Sequence, residues 1–369
     1  MVRGFRYCSK KLIGTGIHIV ARFLIAWIFL FAVIRSCEPD HGLHPFNEDI
    51  LTIGEYLKVN QEEYSKFYRI LVKGNMLLPL CGYNPYGEGY TLFLPTDEAV
   101  DHFIEQSKDY GNLEELLQDT SFINRLTRYH TVNNKVHTDE FPFGALVDRT
   151  LTGDRLTIGF YTESDHPLYK VNNVAPIIKA NLEMTNGYVH VISEVLQQVE
   201  ISGYDWLQEQ DDYSILAEAM ELSGLREGLW FDEYTILAEH DSIYQRNGIS
   251  NIEDLINRIA DPGNPYSDRI NSLDQFAAYH ILYGDFYLND LYMGDVEYWT
   301  LGGEFVTIDA GFDIRINPGI ETFGITISDS GDTTVIDYIS PVWEDCNIPT
   351  HTGPVHSISE LLGAGSLSE

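Results

Sequence analysis

The residues of this chain that could do chemistry are its 12 histidines, 4 cysteines and 56 Asp+Glu, and their spacing decides which chemistry is open. His351 and His356 lie five apart near an expected strand start. That is not the spacing of a helical pair of metal ligands, so a surface loop is the better reading and no metal site is expected. Asp329-Ser330-Gly331-Asp332 resembles part of a calcium loop but lacks the glutamate that closes one, which leaves a hairpin turn. The chain has no Gly-x-Ser-x-Gly elbow, no His-Glu-x-x-His, no phosphate-cradling Gly-x-x-x-x-Gly-Lys and no Cys-x-x-Cys. With so many carboxylates, some pair will fall at glycosidase separation on a solvated face by chance. The expectation is therefore no catalytic residue, no metal and no cofactor: a protein that is not an enzyme.

His130, His190, His240, His280 and His356 belong to an ordered repeat. Tyr90-Thr91-Leu92-Phe93-Leu94-Pro95-Thr96-Asp97, Tyr129-His130 and Asn186-Gly187-Tyr188-Val189-His190 recur as Tyr234-Thr235-Ile236-Leu237-Ala238-Glu239-His240-Asp241, Tyr279-His280 and Thr352-Gly353-Pro354-Val355-His356. A repeat unit this long is a whole domain. The ordered set resembles the fasciclin-like domain family, across nearly all of the chain after about residue 48. The resemblance implies an α+β fold of two tandem fasciclin-like domains, each a small β-wedge or sandwich with helices packed early in the domain. It also places the first and last landmarks side by side in the core of the wedge, with the Tyr-His pair close by.

Physical roles can be read beside that resemblance. Thr96 and Asp97 offer side-chain oxygens to the unpaired N–H groups of a helix start. Asn186-Gly187 supplies the turn that sets the register of the following strand. His190, with His356 as its counterpart, either points away from the core or pairs with a buried acceptor. Two readings stay open for Tyr129, His130, Tyr279 and His280. The preferred one is a hydrogen-bonded scaffold, His130 satisfying carbonyls at a helix end. The other is ligand contact, since the resemblance associates the Tyr-His region of animal members with receptor adhesion. In the second copy Ala238-Glu239 stands for the Pro-Thr pair with His240-Asp241 following, and Pro354 falls inside the last landmark, so that strand is an edge or starts there. The second domain is read as divergent.

The elements that must position these residues follow from periodicity. Asn60 with Glu63 has capping-box spacing ahead of a helix whose stripe is Tyr64, Phe67, Tyr68, Leu71 and Val72, ended by Gly74 and Pro79. Tyr90 to Leu94 reads as a short strand, and the next helix carries Val100, Phe103 and Ile104. Asn112 with Glu115 caps a short helix, and a further one turns Phe122, Leu126 and Tyr129 to the core. Beyond it the period changes to two, with Leu156, Ile158 and Phe160 alternating, then Val189 and Val191. The second half repeats the order. Tyr213, Leu216, Ala217 and Met220 form a stripe, Ser250 or Asn251 and later Ser272 cap helices, and strands are expected at Phe305–Ile308, Ile325–Ile327 and Thr333–Ile336. Helices early and strands late, without βαβ alternation, argue α+β. The short connector near Ile201-Ser202-Gly203 makes two packed domains the expectation.

The N-terminus addresses compartment. Arg3, Arg6, Lys10, Lys11 and Arg22 precede an apolar run from Phe23 to Ile34, too short for a comfortable span. It ends at Ile34-Arg35-Ser36-Cys37, which resembles a bacterial lipoprotein signal with Cys37 acylated. The expected organisation is a signal peptide at 1–36, a tether at 37–47, domains at 48–199 and 200–362, and a flexible tail at 363–369. Removing the six basic residues before Cys37 from 23 Lys+Arg leaves 17 against 56 Asp+Glu, a net of −39. Such a chain is repelled by nucleic acid and by anionic headgroups, so attachment must come from the acyl chains. Pairing of Cys81 with Cys346 stays open. The leading expectation is a lipid-anchored adhesion or binding protein of the outer membrane, surface-exposed, whose ligand is a surface protein or a glycan. The alternative is a glycan-capturing accessory of a nutrient-import system, favoured if Tyr292, Tyr298 and Trp299 form an exposed aromatic platform.

Overall fold

The computed structural model describes residues 50–163, 166–225, 233–260, 272–311, 314–317, 325–327, 333–335 and 339–363. The signal peptide, Cys37, the tether, the Asp329-Ser330-Gly331-Asp332 turn and the tail beyond Gly363 lie outside the described residues.

The first domain begins with a capping box one helix earlier than the spacing suggested. Thr52 caps α1 (Ile53–Val59), accepting from the Glu55 N–H at 3.3 Å, while the Glu55 carboxylate accepts from the Thr52 N–H at 2.9 Å. Asn60 does not cap α2 (Gln61–Lys73) with its side chain. Its amide instead donates to the Tyr56 carbonyl at 2.8 Å, closing the end of α1. The α2 stripe is also rotated from expectation: Tyr64, Phe67, Ile70 and Leu71 are buried, and Val72 is exposed. The helix is kinked at Tyr64 (φ −134, ψ 24), and beyond it the buried face runs through Phe67, Ile70 and Leu71 at i, i+3 and i+4. Gly74 ends α2 as expected, but Pro79 sits inside a further short helix, Leu77–Leu80.

Thr96 caps the helix Asp97–Gln106, accepting from the Ala99 N–H at 3.1 Å. Asp97 faces the other way. It accepts from Ser65 Oγ at 2.6 Å and the Lys66 N–H at 2.8 Å, filling the donors left open at the α2 kink. Asn112 and Glu115 cap each other around Leu113–Leu116, and Asp119 caps Thr120–Tyr129. The strands then form one seven-stranded sheet in the order β2-β1-β7-β6-β5-β4-β3, its first strand β2 being Thr131–Val132. Next to its β2 edge lies the parallel pair β1 (Tyr90–Pro95) and β7 (Gly187–Ile192), with Tyr90 opposite Gly187 and Phe93 opposite His190. β6 (Ala175–Met184) pairs antiparallel with β7, and β4 (Thr157–Glu163) and β5 (His166–Val171) extend the sheet to the two-residue β3 (Gly144–Ala145).

Every residue of β1 is buried, because the sheet has apolar material on both faces. Leu92, Leu94, Val189 and Val191 meet the helices, whereas Phe93 and Ile192 join Tyr129, Val136, Ile158 and Val171 on the opposite side. Phe160, expected to alternate into the core, is 41% exposed because the outer end of β4 leaves that core.

The second domain repeats several of the first domain's hydrogen bonds. Ser202 caps Gly203–Glu209 with Asp205 as Thr52 does with Glu55. Asp241 accepts from the Ser214 hydroxyl and the Ile215 N–H as Asp97 does from Ser65 and Lys66. Thr235 Oγ donates to Gly284 O and accepts from the Phe286 N–H, both at 2.8 Å, as Thr91 does with Asn134 and Val136. β8 (Tyr234–Glu239) pairs parallel with β15 (Val355–Ile358) and antiparallel with β9 (Ile281–Tyr283). β15 begins directly after Pro354, where no ladder N–H is needed. The correspondence corrects the landmark by one residue. Glu239, not Ala238, stands at the Pro95 position, and His240 takes the place of Thr96, its Nδ1 accepting from the Ser242 N–H. β10 (Val296–Trp299), β11 (Phe305–Ala310) and β12 (Ile314–Ile316) form a separate three-stranded sheet, and Ile325–Ile327 pairs with Thr333–Val335. Cys81 and Cys346 are both free thiols, the first exposed and the second buried.

Candidate binding surfaces

The landmark histidines hold the scaffold together from inside. His130 is fully buried at the end of its helix. Nδ1 donates to the Leu126 carbonyl at 2.9 Å, Nε2 accepts from the Leu196 N–H at 3.0 Å, and the ring packs 4.9 Å from Phe67. Tyr129 OH is held by Asn172 Nδ2 at 2.7 Å. His190 Nδ1 accepts from the Asn181 N–H and Nε2 donates to Val136 O. His356 does the same with Asn347 and Phe286. Burial in these neutral networks pushes His130, His190 and His356 down to about 4. His351, far more exposed, does not join His356 in a cluster. Among the described residues no group of His, Cys, Asp and Glu has the makings of a metal site.

His280 departs from this pattern. Nδ1 donates to Phe276 O at 2.7 Å, but Nε2 lies 2.8 Å from Glu239 Oε1. That same oxygen accepts from the Leu362 N–H, and Oε2 accepts from Tyr244 OH. Glu239 has thus inserted itself between the histidine and the backbone N–H that His130 reaches directly in the first domain. Burial opposes a charge on His280, yet the adjacent carboxylate outweighs it and leaves the pKa raised. All four Tyr-His residues are buried, and the hydrogen bonds they make are those of the scaffold reading. Burial of a histidine inside a polar network is invisible to a motif, because the acceptors come from residues far away in sequence.

Asn186 exceeds its expected role as a turn residue. Its Oδ1 accepts from the Ile53 N–H, and its Nδ2 donates to Leu80 O and Gly82 O, tying the first helix to the sheet. A Cβ at Gly187 would come 1.8 Å from Tyr90 O, and at Gly353 2.2 Å from Tyr234 O, so the parallel pair requires glycine at both.

The two domains meet through specific contacts that the sequence did not announce. Arg155 grips Asp290 with two hydrogen bonds of 2.6 and 2.9 Å and lies 5.1 Å from the Tyr287 ring. The Asn289 carboxamide accepts from the Ala145 N–H and donates to the Ala145 carbonyl. Beside this junction opens a cleft of about 420 Å3 lined by Phe143, Phe160, Tyr161 and Trp343. The expected platform at Tyr292, Tyr298 and Trp299 is not one surface. Tyr298 turns inward, its OH accepting from the Tyr292 N–H, while Tyr292 and Trp299 are exposed.

Residues 62–198 match the family model described as the fasciclin domain, so that segment is a fasciclin-like domain, and the second half of the chain repeats several of its hydrogen bonds. It is 26% identical to human periostin over 278 residues, covering 75% of this chain and 28% of that protein. It is 28% identical to pig transforming growth factor-beta-induced protein ig-h3 over 160 residues, covering 42% of this chain and 22% of that one. The chain thus spans less than a third of the length of these relatives. Among solved structures, a FAS1 domain pair from the insect cell adhesion molecule fasciclin I is matched over 83% of this chain and 96% of that one, at 16% identity and a TM-score of 0.34.

Proposed function

We propose that this is a non-enzymatic binding protein of the cell envelope that presents its two fasciclin-like domains for adhesion. The fasciclin match at residues 62–198 carries the reading, since fasciclin domains occur in adhesion proteins. Its landmark residues are spent on the scaffold, so recognition falls to the exposed surface. Acylation of Cys37 would supply the anchor, because a net charge of −39 after loss of the six basic residues opposes electrostatic attachment. The test has two parts. Cys37→Ala should leave the protein unprocessed or released; a processed, membrane-bound variant overturns the anchor. Beads coated with the chain from Cys37 onward should attach saturably to cells of its own source, with free chain competing. Attachment no greater than that of uncoated beads overturns adhesion.

Glycan capture is the second reading. The dispersal of the Tyr292, Tyr298 and Trp299 group weighs against the site first expected for it, and the aromatic cleft at the domain junction favours it.

A further inference from the structure

We infer that the cleft between the domains is a binding site for a neutral sugar ring. This rests on the binding-protein reading and names a site and ligand class for it. Three observations converge there.

The first is a run of rings contributed by both domains. Phe160 packs 5.4 Å from Tyr169 and 6.0 Å from Phe143, and Phe143 packs 5.4 Å from Trp343. Phe160 and Trp343 remain 41% and 52% exposed, so flat apolar faces stand open beside the cleft. Lys170 covers the Tyr161 ring at 4.3 Å, and Tyr161 OH donates to Asn173 Oδ1 at 3.0 Å. Gly159 keeps this wall clear: a Cβ there would meet Tyr161 at 2.9 Å and Asn173 at 3.0 Å.

The second is an unpaired buried amide in the wall. Asn347 lines the cleft and is 3% exposed, and its buried Nδ2 has no hydrogen-bond partner among the described residues. The first domain holds an internal control. Asn181 occupies the matching place, with φ 55 against 54 for Asn347, and both donate their backbone N–H to a buried histidine. Asn181 Oδ1 accepts from the Thr138 N–H and its Nδ2 donates to the Thr138 hydroxyl. Asn347 Oδ1 likewise accepts from the Leu288 N–H at 2.8 Å, but leucine has no hydroxyl to receive Nδ2. Loss of that one oxygen leaves a buried donor in the wall, which a ligand hydroxyl fills when the Asn347 amide turns into the cleft.

The third is size and charge. About 420 Å3 suits a small ligand and not a folded segment. Glu344 at the rim accepts hydroxyl protons and repels anions, in a chain already strongly acidic. Open rings, a planar amide donor and a carboxylate acceptor are the groups that hold the apolar face and the hydroxyls of a neutral sugar.

The test is a calorimetric titration of the full chain with neutral cello-, xylo-, malto- and chito-oligosaccharides. At least one should bind saturably. Trp343→Ala should weaken it about tenfold or more, the equivalent of ~1.4 kcal/mol, and Trp299→Ala, which does not line the cleft, should not. Leu288→Thr gives Asn347 the hydroxyl that Asn181 has; it should weaken binding more than Leu288→Val, which thins the same core position without adding the hydroxyl and so separates a ligand role from a packing role. Absence of binding across the panel, or binding indifferent to both Trp343→Ala and Leu288→Thr, overturns the site. Bead adhesion that survives Trp343→Ala unchanged, without any sugar binding, would sink this inference and leave the adhesion reading standing.

Discussion

Acidification should destabilise the first domain more than the second. His130 and His190 are buried and neutral, with pKa values held down to about 4 by loss of solvation. In the unfolded chain each returns to an ordinary value near 6.5. A depressed folded pKa means stability that is present above the unfolded value and is lost as pH falls towards the folded one. For a shift from about 6.5 to 4, each histidine forfeits about 2 kcal/mol by pH 5, and about 3 kcal/mol once both values are passed. The first domain therefore loses about 4 kcal/mol at pH 5, a large part of the 5–15 kcal/mol typical of a domain. The second domain has one such residue, His356. Its other landmark histidine, His280, has a raised pKa because Glu239 faces it, so its contribution is fully present below the unfolded value and lost as pH rises through the folded one. The domains should thus differ by about 2 kcal/mol or more at pH 5. Hydrogen exchange at pH 7, 6 and 5, corrected for the intrinsic rate, reads this from peptides over β1 and β7 against β8 and β15. Glu239→Gln should narrow the gap. Equal losses in both domains, or a first domain whose protection is flat from pH 7 to 5, would refute the assignment of neutral buried histidines.

His130→Ala should cost about 1–3 kcal/mol in a denaturation midpoint, through the unpaired Leu196 N–H, with partner retention by the folded fraction unchanged. Asn186→Ala removes three hydrogen bonds from buried or half-buried backbone groups, and its urea midpoint should fall by about 2–4 kcal/mol. Arg155→Ala breaks a largely buried bidentate pair with Asp290; limited proteolysis should then cut the connector near residue 200 faster while each domain keeps its own melting transition. Iodoacetamide should label Cys81 in the native protein and leave Cys346, whose buried thiol is pushed up in pKa by lost solvation, unlabelled until denaturant is added.

The α+β order, the helix caps at Thr96, Asn112 and Ser272, and the first-domain strands at β1 and β7 were legible because they depend on neighbours within a few residues. The Asn60–Glu63 capping box failed for a similarly local reason: α1 ends at Asn60 and claims its amide. What could not be read were choices made across long separations. Asp97 looked like a cap and proved to be a tie to Ser65 and Lys66. Glu239 looked like drift at a turn and proved to be the buried partner of His280, 41 residues away. The candidate cleft was invisible for the same reason. Phe143, Phe160 and Trp343 are scattered in sequence, and the empty bond on Asn347 exists only by contrast with Asn181 and Thr138. The Tyr292, Tyr298 and Trp299 platform failed on strand geometry, since consecutive residues 298 and 299 point to opposite faces.

The pairing of Asn289 with Ala145 has a bearing on how this chain avoids its own kind. β3 is the last strand of the seven-stranded sheet, and an open strand is a template on which another molecule can add itself. Asn289 supplies one acceptor and one donor to Ala145, as a neighbouring strand would, and ends the sheet there. Gly144 makes room for it, because a Cβ at that position would lie 1.9 Å from Asn289 Oδ1. The second domain is thereby a stopper for the first. A first domain cut free near residue 200 carries an unsealed edge into solution, where it would find a substitute in the equivalent edge of another copy and build oligomers strand against strand.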